Sequence, residues 1–306
     1  MNAAAALLAA VEIGEPLTRG SLSLFPLFHE RGAARRYITG PRSEGHIRVG
    51  EVPEGAIVPE LEIVNDSHEP VLFLDGETLL GGRQNRIVTV SVLVPARGTS
   101  RVSVTCVEAG RWGDERPVGR SARLAPSGVR ARNMAHSGRT VMAGGKAEAD
   151  QSGVWEEVGR YARVLGAESS TQAMEDVHEH AAGRVHALVG GTSPLPGQCG
   201  VAAAVGERII AVDLFDDPRT LSDYWDALVA GYALDAGPES SGHPSRRTVR
   251  RVLGEVGAAR AVTAGGRVHI GADRVTATAL LLDDRVVHLA VTVGGEPAPR
   301  PSWFSS

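Results

Sequence analysis

Two acids, two amides and two arginines crowd into Leu72-Phe73-Leu74-Asp75-Gly76-Glu77-Thr78-Leu79-Leu80-Gly81-Gly82-Arg83-Gln84-Asn85-Arg86. Apolar residues open the stretch and Ile87 follows it, so it reads as a long, polar connection between two strands. Connections between strands are usually short. Glycine lets a backbone approach a ligand closely, and amides and guanidinium groups hydrogen-bond in fixed directions. Asp75, Glu77, Arg83, Gln84, Asn85 and Arg86 are therefore candidates to bind a polar ligand, with Glu77 as acid or base. The competing reading is that the amides and Arg86 satisfy the backbone of a buried turn.

A second group lies at Cys106-Val107-Glu108 and Arg111-Trp112. Side chains repeat every second residue on a strand, so Cys106 and Glu108 share a face. A thiolate beside a base would be a nucleophile. Val102 and Val104 share that face too, which makes Cys106 a core residue by preference. Glu108, Arg111 and Trp112 could rim a pocket, the indole stacking on a base or ribose while the arginines meet phosphate. A plain Glu108–Arg111 ion pair is the alternative. Cys199, in Pro194-Leu195-Pro196-Gly197-Gln198-Cys199-Gly200, sits in a loop whose glycines suit close packing. His136 and Lys146 could reach a ligand if their segment folds over the site. Asp176-Val177-His178-Glu179-His180 suggests a metal, yet two ligands on a helix need a spacing of three or four. A solvated helix face is expected there, and no metal ligands are assigned. No P-loop, G-x-S-x-G, strand-borne G-x-G-x-x-G or paired C-x-x-C occurs, so those site classes lack their local motif.

The elements that must hold these groups follow from the pattern. Strands are expected at Ser21–Phe28, Ile57–Val64, Val71–Leu74 and Ile87–Val94, with Arg101–Val107 returning antiparallel. Val88, Val90, Val92 and Val94 make Ile87–Val94 the clearest of them. From Asp114 to Gln151 the pattern dissolves into Arg, Gly, Ser and Ala, which reads as an irregular loop. Helical spacing appears in Val154–Leu165 and Thr171–Val189. Val201–Val205 and Arg208–Phe215 read as a hairpin across Gly206-Glu207. Asp217 and Ser245 can cap helices, and Pro218 suits a first helical position. Strands return at Arg260–Thr263, Val268–Ile270, Val275–Leu282 and Val286–Val293. The expectation is an α+β class: an N-terminal antiparallel, β-sandwich-like sheet, then helices packed on a C-terminal antiparallel meander. The regions are 1–113 (β-rich), 114–151 (irregular) and 152–306 (α+β), which can equally form one continuous domain.

Taken in order, these motifs resemble one family, the ARG-and-rhodanese-phosphatase-superfamily-associated protein domain. The resemblance is carried by Asp75-Gly76-Glu77, Gln84-Asn85-Arg86, Val94-Pro95-Ala96 and Cys106 through Trp112. It continues in Trp155-Glu156-Glu157, Gly197-Gln198-Cys199-Gly200, Asp213-Leu214-Phe215 and Tyr232 through Ala236. Arg83 stands where lysine is expected, and 29–50 matches loosely. The family's name implies association with ADP-ribosylglycohydrolase, rhodanese and phosphatase domains, and so a link to ADP-ribose or other nucleotide-linked compounds. It brings no catalytic residues to this chain.

Composition limits the rest. The 306 residues are 42% hydrophobic and 22% charged, with a formal net charge of -4, so nucleic acid is not an expected partner. Two cysteines suit a reducing compartment rather than a disulfide framework. Residues 1–10 read as a short helix rather than a signal peptide, and no run reaches the ~18 apolar residues of a membrane span. A cytoplasmic protein off the membrane is expected, binding or processing a small polar ligand of the nucleotide-linked or ADP-ribose type, with the cofactor unknown. The alternative is a structural or interaction module, with self-association through a sheet edge.

Overall fold

The computed structural model describes residues 3–30, 34–52, 59–111, 116–237 and 242–294. In its first part a short helix, α1 (Ala3–Ala9), precedes β1 (Glu12–Ile13), β2 (Leu17–Arg19), β3 (Leu22–Phe28), β4 (Ile38–Thr39), β5 (Ile47–Glu51) and β6 (Glu60–Asn65). Then come β7 (Val71–Phe73), β8 (Glu77–Gly82), β9 (Arg86–Val88), β10 (Val92–Val94), β11 (Gly98–Cys106) and β12 (Arg116–Leu124). Three helices follow: α2 (Ser127–Met142), α3 (Gln151–Leu165) and α4 (Met174–Val189). The hairpin β13 (Gly200–Val205) and β14 (Arg208–Phe215) leads to α5 (Pro218–Ala233) and α6 (Arg246–Ala258). The chain then forms β15 (Arg260–Ala264), β16 (Arg267–Gly271), β17 (Val275–Leu282) and β18 (Arg285–Val293).

The class is α+β. A nine-stranded antiparallel sheet runs β1-β3-β13-β14-β18-β17-β16-β15, with β2 also on β3. It joins both ends of the chain, because β3 lies between β1 and β13. Alternation on β3 sends Phe25 and Leu27 into the core beneath α1 and α6, and Leu22 and Leu24 into the core beneath α5. On α6, Val249, Val252, Leu253 and Val256 form the buried stripe. Asp217 caps α5 by accepting from Arg219 N at 2.8 Å, and Ser245 caps α6. The strands of the first third close into a barrel, β11-β6-β5-β12-β8-β9, filled by residues such as Leu61, Ile63, Leu79, Val88 and Val104. No helix among the described residues is long and apolar enough to cross a membrane.

Four expectations change. The connection after Leu74 is largely a strand, since Glu77–Gly82 is β8 and pairs with both β12 and β9. Ile87–Val94 breaks after Val88: β9 stays in the barrel, while β10 pairs with β7 in a separate three-stranded sheet. Ser91, at the break, bonds Asp75 instead of a ladder partner. Asp114–Gln151 is not irregular, because it holds β12 and α2. The buried face of α2 does repeat at the helical period, through Arg130, Asn133, Met134, Ser137, Gly138 and Val141. Most of those residues are polar or small, so no apolar stripe betrays the helix. Finally, His178 is buried in α4 rather than solvated. The first residues expected in a strand at Ile57 and Val58 lie outside the described residues.

Gly81 fixes the approach of β8 to β12. Its φ is +106°, and a Cβ there would stand 2.1 Å from the Pro117 carbonyl oxygen. Gly81→Ala should lower stability by on the order of 3 kcal/mol in urea unfolding, through backbone strain and a clash with an unyielding main chain. Gly183→Ala, on an open helical site with nothing within 4 Å, should instead raise it by about 0.5–1 kcal/mol.

Candidate functional site

Because β8 is a strand of about 3.3 Å per residue, it carries Glu77 and Gln84 roughly 20 Å of chain apart. The candidate residues accordingly fall into two places. Glu77, wholly buried, accepts from Leu74 N at 2.9 Å and from Arg120 on β12. Burial pushes its carboxyl up, and Arg120 and the Leu74 N–H offset only part of that. Tyr224 of α5 completes this corner, donating to Leu72 O at 2.6 Å and accepting from Gly40 N at 3.0 Å.

Asp75 belongs to a larger network. Arg130 of α2 donates from Nε to Asp75 Oδ2 at 2.9 Å, from Nη1 to Asp213 Oδ2 at 2.9 Å and from Nη2 to Asp213 Oδ1 at 2.6 Å. His288 Nε2 contacts Asp213 Oδ1 at 2.9 Å, and its Nδ1 contacts Ser91 Oγ at 2.9 Å. Ser91 Oγ donates to Asp75 Oδ1 at 2.9 Å, and Tyr232 donates to Asp213. Burial alone would push Asp213 up, but Arg130 and then His288 reverse it and hold the carboxyl well below the usual range. Burial likewise works against the Arg130 charge, and Asp213 and Asp75 overcome it. Asp75, Asp213 and His288 lie within 4.8 Å of one another, as metal ligands would. Every one of their ligand atoms is already bonded, and the Arg130 guanidinium supplies the positive charge between the two carboxylates. The Ser91–His288–Asp213 chain has the composition of a hydrolytic triad, yet Ser91 is 3% exposed and its hydroxyl is spent on Asp75. This network joins the barrel to the large sheet.

The other candidates meet at the far end of β8. Asn85 Oδ1 accepts from Gly81 N at 2.9 Å and from Arg111 Nη2 at 3.1 Å. Gln84 Nε2 donates to Glu108 O at 2.7 Å, and Asn85 N donates to Glu108 Oε2 at 3.0 Å. Arg111 pairs with Glu108 at 2.7 Å and reaches Gly82 O at 2.9 Å. Burial pushes Glu108 up, but Arg111 and the Asn85 N–H prevail and lower it. Arg83 places its backbone N–H 3.2 Å from Glu51 Oε1. Arg86 is 1% exposed and donates from Nη1 to the same Glu51 oxygen at 2.8 Å. Among the described residues its Nε and Nη2, and Glu51 Oε2, are buried without an oxygen or nitrogen partner. Cys106 adds only a thiol, a weak acceptor, beside this guanidinium. Burial pushes that thiol up, against the pull of Arg86. Trp112 lies outside the described residues.

Cys199 is buried and its thiol contacts Leu27 O at 3.4 Å. His29 stands against Phe215 O and Glu30 O, both at 2.8 Å, and is pushed up to about 9, by Cys199 first, with burial opposing. His136 lies on α2 and Lys146 follows it, in neither polar cluster. Sequence reasoning missed Glu51, Ser91, Arg130, Asp213, Tyr232 and His288. Asp213 and His288 did leave a signal, each being a titratable residue set among apolar neighbours inside a strand that opens on an arginine, a placement that requires a buried partner.

Replacing Arg130 by Met should strand two buried carboxylates and remove about 3–5 kcal/mol of unfolding free energy at neutral pH. The double variant Arg130→Met/Asp213→Asn should lose less than the sum of the two single changes, a coupling that denaturant midpoints will read.

No curated protein and no solved structure matches the chain. A family model does, over residues 10–292, a span that takes in the barrel, the large sheet and both polar clusters. The chain therefore belongs to the ARG and Rhodanese-Phosphatase-superfamily-associated Protein domain family.

Proposed function

We propose that this protein binds a small polar ligand of the nucleotide-linked or ADP-ribose type at the end of the barrel where β8 turns into β9. The observation that supports this most is Arg86. Among the described residues a guanidinium 1% exposed keeps two nitrogens without an oxygen acceptor, the Cys106 thiol being its only further neighbour of weak accepting power, beside a Glu51 oxygen that has no partner. Leaving such groups unmet disfavours the folded state by roughly 1–3 kcal/mol each. A ligand bearing both phosphate and hydroxyl groups would meet both, its phosphate oxygens accepting from Arg86 and a hydroxyl donating to Glu51 Oε2. The family's name supports the nucleotide-linked class by association only.

A second reading, a structural or interaction module, draws on a different observation. Asp75 and Glu77 have all their oxygens in buried bonds to Arg130, Ser91, Arg120 and Leu74. In that reading Arg86 serves the same end, and the edge of the large sheet that β15 forms among the described residues is a surface for self-association.

A thermal-shift screen against inorganic phosphate, sugar phosphates, mononucleotides, NAD and ADP-ribose separates the two. A ligand at a hundred times its dissociation constant should add about 2.7 kcal/mol. Arg86→Lys keeps the charge but loses the planar fork. It should abolish the shift while the protein stays folded. If no compound raises the melting temperature and Arg86→Lys lowers it sharply, the structural reading stands instead.

A further inference from the structure

A cleft of about 390 Å³ opens where the end of β3, the loop before β13 and the start of α5 meet. Its walls are His29, Gly197, Cys199, Asp216, Pro218 and Arg219, none of them in either polar cluster. The volume suits a small molecule, whose sites run to about 300–1,000 Å³. The loop is firmly closed. Gln198, itself buried, accepts from Leu195 N at 2.9 Å and donates to Gly200 O at 2.9 Å. Cys199 is held in turn, its N–H on Leu27 O at 3.0 Å and its carbonyl accepting from Phe215 N at 2.8 Å. Its thiol stands 3.4 Å from Leu27 O, a weak bond for sulfur. Cys199 is 1% exposed, so the cleft is the route to that sulfur.

His29 hydrogen-bonds the same thiol. Its Nε2 lies 2.8 Å from Phe215 O, and its Nδ1 lies 2.8 Å from Glu30 O. A carbonyl oxygen only accepts, so both nitrogens carry protons and the ring is an imidazolium. The Cys199 bond first raises it to about 9 against burial, and the two carbonyls add to the rise. Asp216, the one acid in the wall, is met by Tyr37 and by Arg285 at 3.1 Å. Arg219 brings a second cation, paired with Asp217 at 2.9 Å. An imidazolium beside a thiol is the counter-ion that a thiolate, the nucleophilic form, requires.

The bonds that protonate His29 also limit it. With both N–H groups on main-chain carbonyls, the ring offers charge but no mobile proton. Acyl transfer would need that proton for its leaving group. A disulfide needs none, because it releases a thiolate. We propose that Cys199 is a thiol–disulfide exchange site for a low-molecular-weight disulfide seated in this cleft against His29. The Cys199 thiolate attacks one sulfur of the disulfide. A new bond to Sγ forms as the old S–S bond breaks, and the second sulfur leaves with the electron pair. The proton that Cys199 gave up ends on the released thiol by way of solvent. Cys199 is oxidised and the departing sulfur is reduced, so no further oxidant takes part. This site is separate from the barrel end, and it stands whether or not Arg86 binds a ligand.

The test is to incubate the folded protein with glutathione disulfide and map the adducts on its two cysteines by mass spectrometry. Cys106 is the internal control, being fully buried, outside the cleft, and with its thiol pushed up by burial. Cys199 should take up glutathione about tenfold faster than Cys106 or more, and dithiothreitol should remove it. His29→Gln should slow the Cys199 reaction by about tenfold at neutral pH. Equal rates at the two thiols, or no adduct at Cys199 until denaturant is added, would overturn the proposal. So would a folded His29→Gln protein that reacts at the unaltered rate. Turnover of a thioester that Cys199→Ala abolishes would also overturn it, since His29 would then be passing protons. The comparison of the two thiols uses the unmodified protein, so it decides even if His29→Gln fails to fold.

Discussion

The fold turns on one buried cation. Arg130 reaches from a helix to a barrel turn through Asp75 and to the centre of the large sheet through Asp213. Each of its three nitrogens meets a carboxylate oxygen. Ser91 and His288 close the circuit from the other side. Buried ion pairs add little net stability, because desolvation consumes most of the Coulombic gain. What such a pair does impose is geometry, since any packing that separates the barrel from the sheet strands full charges away from water. The same constraint explains why Ser91 leaves the β ladder and why the buried face of α2 is polar.

That constraint also sorts the polar residues of the 75–86 stretch. The barrel must meet the sheet at the Asp75 turn, so the residues there are consumed in holding the two together. Glu77 repeats the pattern one step along, binding Arg120 from the barrel while Tyr224 ties the neighbouring backbone to α5. Six residues of strand then carry the chain to the opposite end, beyond the reach of the large sheet. Polar groups placed there are free of that framework. A stretch that looks like one loop is thus two polar clusters, set apart by the rise of β8.

Local chemistry made much of the fold legible. Gly206-Glu207 marks the β13–β14 turn, Asp217-Pro218 marks the start of α5, and the valine and leucine spacing gives α6. Each of these signals lies within a few residues of what it dictates. The strand β12 and the helix α2 were not legible, because long-range partners stabilise them. The pattern of α2 lies in Arg130, Asn133 and Ser137, whose burial makes sense only once Asp75, Asp213 and Thr105 are beside them. The glycine-rich stretch misled for the opposite reason. Gly81 and Gly82 stand inside a paired strand, where close approach to Pro117 and Glu51 excludes a side chain. At the far end of β8, the Glu108–Arg111 pair was legible from residue type and spacing, whereas the bonds of Gln84 and Asn85 to Glu108 needed the fold, and Glu51 came from a strand with no polar cluster to flag it.

Two arginines of nearly equal burial differ in how far their hydrogen-bonding groups are satisfied. Arg130 is 3% exposed and Arg86 is 1% exposed, so each has given up its hydration. Arg130 recovers it through two carboxylates, with every nitrogen bonded. Arg86 has one oxygen of one carboxylate, and among the described residues its other two nitrogens meet no oxygen, with only the weakly accepting Cys106 thiol beside the guanidinium. Were both purely structural, the second would be an expensive choice, since a leucine or methionine of similar volume fills a barrel end without orphaned donors. An arginine in that position is what the proposal of an acceptor from outside the chain would account for. The neighbouring glycine supports the same argument. A Cβ on Gly82 would stand 2.8 Å from Glu51 Oε1 and 3.4 Å from Arg86 Nη1, and its φ of +57° gives a second reason for a residue without a side chain.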